Sequence, residues 1–338
     1  MVFEKHSSLE GWHRSGGPPI RQVTLFLWIV SSTVGSLRSF YSLNLNRSTR
    51  LKARDFALSY LPNLPFYLGH TDSEILQVYK ATFQKVVERN KEYYLKYPED
   101  IDAVHGLAFH IKSKGGLSLP SGGVLTVRGL LTLGRNFGMH GGLDTVHDLI
   151  LRASTDLKQF QFISRPTLSA IEGALSFDDV VLYAVLHEAT YCQAAASNWA
   201  AERVGRTLRE FQWLSGSPQS ASSVREMPLY FSGEMIYPFL FDLFPELEKL
   251  SNVAEILAKY SGWPELYDEW QLARNEVPLY AATFVDDMYV DFGLAQETAK
   301  LVKNCKQYIT NGMYHDAIRS KTDEIMKELF ALRDDSID

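Results

Sequence analysis

The sequence predicts an α/β protein: the C-terminal part of a parallel sheet, preceded by a long helical block. Three observations predict it. From Asp72 onward, apolar residues recur three and four positions apart, the period of helices with one buried face. Toward the C-terminus, short β-branched and aromatic runs alternate with helical stretches, as in strands joined by covering helices. Residues 1–69 show neither rhythm, which sets them apart as an atypical, partly irregular segment.

Residues 1–22 are polar and rich in Gly, Ser and Pro. Residues 23–30 (VTLFLWIV) read as a buried strand, being far too short for the roughly 20 apolar residues that span a bilayer. The basic, serine-rich run at 31–54 has no period and is assigned no structure. Ile75, Val78, Tyr79, Thr82, Phe83 and Val86 then mark one face of a helix, with Thr71 or Asp72 as N-cap. It ends near Tyr97, because Pro98 disfavours helical geometry in the residue before it. Further helices are expected at 99–113, 126–134, 142–152, 166–174, 178–205 and 245–260, with glycine-bearing loops at 115–123 and 138–142. Strands are expected at 228–231 (PLYF), 277–285 (VPLYAATFV) and 307–310 (QYIT), with helices at 295–304 and 318–333. The resulting division is 1–69, a helical block at 70–225, and the sheet-bearing part at 226–338.

Composition narrows the function. The chain has 338 residues, 46% apolar and 22% charged, as in an ordinary globular protein. Its net charge is −6 with scattered basic residues, which excludes the concentrated positive face of a nucleic-acid binder. Two cysteines, Cys192 and Cys305, cannot build a disulfide framework, so a reducing, cytoplasmic setting is expected. His187-Glu188 is not H-E-x-x-H, since position 191 is Tyr, and neither a Walker A loop nor a dinucleotide fingerprint occurs.

In open α/β sheets, function collects beyond the carboxyl ends of the strands. Three points fall there: Asp286-Asp287 after 277–285, His315 after 307–310, and Glu234 after 228–231. An acid after one strand and a histidine after the next is how an α/β-hydrolase supplies the last two members of its Ser…Asp…His order. Glu188, in an apolar helical run, and Glu234, among aromatics, are acids that need a partner and can receive a cation.

The strings VLHEATYCQAAASNWAAERV (185–204), GEMIYPF (233–239), NEVPLYAATFVDDMYV (275–290) and TNGMYH (310–315) resemble the proline iminopeptidase family of α/β-hydrolases. VVERNKEYYLKYPEDIDAV (86–104) and LTVRGLLTLGRNFGM (125–139) are similar to that family's helical lid, so the likeness covers about residues 70–338. It implies release of an N-terminal proline from a peptide substrate without a cofactor. It also implies an incomplete α/β-hydrolase core, Asp287 as triad acid and His315 as triad base. Glu188 and Glu234 would then hold the substrate's α-amino group, and Tyr191, Trp199 and Tyr237 would wall the proline pocket.

The departure is at the front. The fold's nucleophile sits in a G-x-S-x-G elbow, and none occurs in these 338 residues. The nearest stretch centres on Thr33, whose β-branched side chain suits the strained elbow poorly. The expectation is a truncated hydrolase lacking its serine, with a non-catalytic module that binds peptide amino termini as the alternative. A partial sheet would also expose an edge, which predicts self-association or aggregation.

Overall fold

The apolar rhythm after Asp72 becomes a 25-residue helix, α1 (Asp72–Lys96), whose buried face runs through Ile75, Tyr79, Phe83, Val86, Asn90 and Tyr93. The computed structural model describes residues 72–215, 227–264 and 268–334, together with two-residue strands at Val23–Thr24, Ser42–Leu43 and Leu58–Ser59. After α1 come α2 (Asp100–Ser113), α3 (Gly142–Phe160), α4 (Arg165–Leu175), α5 (Val181–Leu186), α6 (Ala200–Gly205) and α7 (Ser251–Lys259). Between α2 and α3 a short helix, Val127–Leu131, runs into a 3-10 helix, Thr132–Gly138. One large apolar cluster joins these elements and takes in Phe231, Tyr237, Phe239 and Leu240 as well as Met288 and Tyr289.

The sheet is small. Strands β1 (Leu58–Ser59), β2 (Leu279–Phe284) and β3 (Cys305–Thr310) lie in that order and are all parallel, with Leu58 opposite Tyr280 and the β2–β3 register running from Leu279–Cys305 to Phe284–Thr310. Helix α8 (Phe292–Leu301), N-capped by Asp291, links β2 to β3. Helix α9 (Thr322–Asp334) sets Ile325 and Leu329 against Ala282 and Phe284 of β2. The result is a helix-rich fold with small β elements, and a full α/β-hydrolase sheet is not found among the described residues.

Several elements differ from expectation for physical reasons. Residues 228–231 are not a strand. Phe231 exchanges both backbone bonds with the Asn90 side chain (2.7 and 2.9 Å), Ser232 N–H donates to Leu131 O (2.8 Å), and Tyr94 donates to Leu229 O (2.5 Å). A side chain replaces the ladder partner, so extended chain forms without a sheet. The expected helix at 178–205 breaks into α5, a 3-10 turn at Glu188–Tyr191, an irregular stretch and α6. Helix 245–260 divides into Pro245–Glu248 and α7. Helix α3 runs past 152 to Phe160, with Ser154 turning its hydroxyl back onto Leu151 O at 3.0 Å. Of the run at 23–30, Val23–Thr24 pairs antiparallel with Ser42–Leu43; positions 25–30, like Thr33, lie outside the described residues. No described helix is long and apolar enough to cross a membrane.

Candidate functional site

Parallel strands β2 and β3 end side by side, which brings the turns that follow them together. Asp287 sits in the first turn and His315 in the second, 3% and 4% exposed. His315 Nδ1 lies 3.0 Å from Asp287 Oδ2. Asp287 Oδ1 accepts the backbone N–H groups of Tyr289 (2.8 Å) and Val290 (3.0 Å), so the carboxylate is fixed on both oxygens. An ionised carboxylate only accepts, which makes Nδ1 the protonated nitrogen and leaves Nε2 to take up a proton. Burial alone would lower the pKa of His315. The charge and hydrogen bond of Asp287, with further help from Glu234 and Asp316, outweigh burial and raise it. Asp286 points elsewhere: its side chain is 42% exposed and meets Lys85 at 3.4 Å.

Beside this pair lies a cavity of about 290 Å³, near the small end of ligand pockets. Arg135, Asn136, Phe177, Tyr183, Glu234 and Tyr289 are among its lining residues. Tyr289 touches both places: its ring stands edge-on to His315 at 4.7 Å, and its hydroxyl donates to the Arg135 carbonyl. Gly138 permits this, since a Cβ there would come within 2.6 Å of the Tyr289 ring. The Arg135 guanidinium donates to Ala174 O (2.8 Å) and Ser176 O (3.1 Å) and lies 4.7 Å over Phe177. Burial, then the charge of Glu234 and a hydrogen bond to it, hold the Tyr183 hydroxyl protonated well above the ordinary tyrosine value. One turn on, burial pushes His187 down to about 4, partly offset by its bond to the Glu234 backbone. His187 is therefore neutral at pH 7 and hydrogen-bonded to the Glu234 backbone.

The other expected site residues are not in this cavity. Glu188, 6% exposed, accepts the N–H groups of Ala200 (3.1 Å) and Ala201 (2.9 Å) at the start of α6. It borders a separate space of about 10 Å³ shared with Trp199, room for one water at most. Trp199 sits at φ +56° and donates from Nε1 to Glu255 at 2.7 Å. Tyr191 packs edge-on against Tyr79 at 5.7 Å. Tyr237 is fully buried, with its hydroxyl 2.6 Å from Ser232 Oγ and its ring stacked on Phe239.

A second Ser-His-Asp grouping, Ser320, His140 and Asp316, is not a relay. Ser320 Oγ and Asp316 Oδ1 approach the same ring nitrogen, Nδ1, at 3.0 and 2.6 Å, whereas a relay needs acid and nucleophile on opposite nitrogens. Among the described residues no group of three or more His, Cys, Asp or Glu is placed to hold a metal ion.

No protein-family model matches the chain. It is 40% identical over 263 residues to the proline iminopeptidase aneH of Aspergillus aculeatus, covering 78% of this chain and 56% of that protein. It is 34% identical over 259 residues to a proline iminopeptidase of Aeromonas sobria, covering 77% of this chain and 57% of the relative. The chain resembles the proline iminopeptidase family. It spans just over half the length of these curated relatives.

In this relative of the proline iminopeptidases, much of the Glu234 cavity comes from residues for which the sequence predicted no role: Arg135, Phe177, Tyr183 and Tyr289. A signal existed for two of them. Arg135 is a cation in a largely apolar stretch, the argument already applied to the acid Glu188. Tyr183 stands four residues before His187, one turn away on the same face, with a hydroxyl that needs a partner when buried.

Proposed function

We propose that this chain carries the acid, the base and the amino-terminus pocket of a serine-type aminopeptidase that releases N-terminal proline from peptides. The observation that carries the reading is the buried Asp287–His315 pair, with the Glu234 cavity separated from it by the Tyr289 ring. Glu234 accepts the ammonium of the substrate's first residue, and Phe177, Tyr183 and Tyr289 give a compact ring apolar and aromatic walls. His315 takes the proton of the attacking hydroxyl on Nε2 and returns it to the leaving amine, while Asp287 fixes the tautomer. Glu188 supports the fold beside α6 rather than the substrate. Both cysteines are free, which fits a reducing, cytoplasmic setting.

The attacking serine is assigned to no position, because the 338 residues hold no G-x-S-x-G. That observation favours a second reading, in which the pocket binds peptide amino termini without cutting. Calorimetric titration of the full chain tests what the two share. A proline-initiated peptide should bind about tenfold to a hundredfold tighter than its N-acetylated form, the worth of one charge-assisted hydrogen bond. Glu234→Gln should erase that preference; equal binding of both peptides by the unaltered chain rejects the pocket. Release of the chromophore from a prolyl anilide then decides for cleavage, and binding without release decides for the second reading.

A further inference from the structure

Both neighbours of His315 are gripped from the helical block. On one side, Arg89 of α1, 5% exposed, lies 4.7 Å over the Tyr314 ring, with Nη1 3.4 Å from its hydroxyl. The same guanidinium donates to Phe137 O from Nε (3.1 Å) and Nη2 (2.8 Å) and pairs with Glu92, so it cannot shift without breaking the 3-10 helix contact. On the other side, Asp316 Oδ1 accepts from His140 twice, from ring Nδ1 at 2.6 Å and backbone N–H at 3.0 Å. The His140 ring also stands edge-on to Tyr314 at 5.2 Å. Two side chains about fifty positions apart in sequence thus close on the tripeptide Tyr314-His315-Asp316 from outside the sheet.

We propose that Arg89 and His140 are positioning residues that hold the His315 imidazole against Asp287 from the helical block. Met313 and Ala317 anchor the turn after β3 in the apolar cluster under the sheet, while Asn311 and Gly312 are exposed, so the polar grip on the two neighbours of His315 comes from Arg89 and His140. A buried guanidinium with several donors engaged, and a carboxylate receiving two bonds from one residue, are rigid where a loop alone is not. A base displaced by about 1 Å loses much of its effectiveness, so contacts that act through neighbouring residues matter to the chemistry. The inference rests on His315 being the base proposed above, and its test does not require turnover.

The test follows the His315 Nδ1 proton by NMR in the full chain and measures its exchange with solvent. In Asp287→Asn the slowly exchanging signal should disappear; if it persists, the Asp287–His315 reading itself fails. In His140→Ala, at a partly exposed site, exchange should quicken about fivefold to tenfold, the equivalent of one hydrogen bond. His140→Asn, which keeps a donor near the Nδ1 position, should restore most of the protection. Arg89→Lys keeps the charge without the paired donation to Phe137 and should quicken exchange similarly. Cooperative urea unfolding establishes that each variant is folded. Loss of the signal in Asp287→Asn with unchanged exchange in folded His140→Ala and Arg89→Lys overturns the positioning role and leaves the acid–base pair standing.

Discussion

Two adjacent aspartates meet opposite fates because one turn of chain points them to opposite sides. Asp286 reaches out to Lys85, and Asp287 turns inward, where two backbone amides and an imidazole take up its oxygens. The consequence is a pH dependence with a definite sign. The folded pKa of His315 is raised, so the pair's contribution is complete below the ordinary histidine value of about 6.5 and fades as pH rises through the folded value. In Asp287→Asn, burial becomes the dominant influence and lowers that pKa, so protonation then works against folding. Urea unfolding across a pH series should show the variant less stable by about 3 kcal/mol near pH 6, with the gap narrowing at higher pH. A gap that stays constant or widens with pH rejects the assignment of charge to this pair.

At the scale of elements, periodicity was legible and hydrogen-bond partners were not. Helix α1 follows from spacing alone, since Ile75, Tyr79, Phe83, Val86 and Tyr93 recur on one face and Pro98 ends it. Strands β2 and β3 follow from β-branched and aromatic runs, and the placement of an acid and a histidine just after them follows from the strands. The break inside 178–205 had no such signal. Glu188 takes its partners from the amides of Ala200 and Ala201, and the chain presents them through two consecutive left-handed residues, Asn198 and Trp199, which propensity disfavours. Residues 228–231 mislead in the same way: their composition is that of a strand, but the partner is the Asn90 side chain. Asn90→Ala would leave the N–H and C=O of buried Phe231 unpaired, at a cost of about 2–4 kcal/mol. Chemical denaturation measures it, and a loss below about 0.5 kcal/mol would mean that the segment finds other partners.

Across the whole molecule, apolar contacts are unevenly shared. The large cluster runs from α1 through the helical block to Met288 and Tyr289, whereas the outer face of the sheet rests on Ala282, Phe284, Met313, Ala317, Ile325 and Leu329. Among the described residues β3 pairs with β2 alone, and Ile309 on it is 46% exposed. Local opening follows contact density, so β2 and β3 should open before α1 and α2. Hydrogen exchange followed by mass spectrometry should find the amides of 305–310 exchanging through a sub-global event, with those of 79–94 protected to the global limit. Equal protection in both regions would mean that sheet and helical block unfold as one unit. Repeating the measurement over a range of protein concentrations separates the sheet's own weakness from the fate of its edge. Protection of 305–310 that rises with concentration shows a second copy pairing along β3, as an open strand edge invites. Protection independent of concentration rules that pairing out and leaves the turn that carries His315 held from within one chain, by Met313 and Ala317 in the apolar cluster and by the contacts of Arg89 and His140.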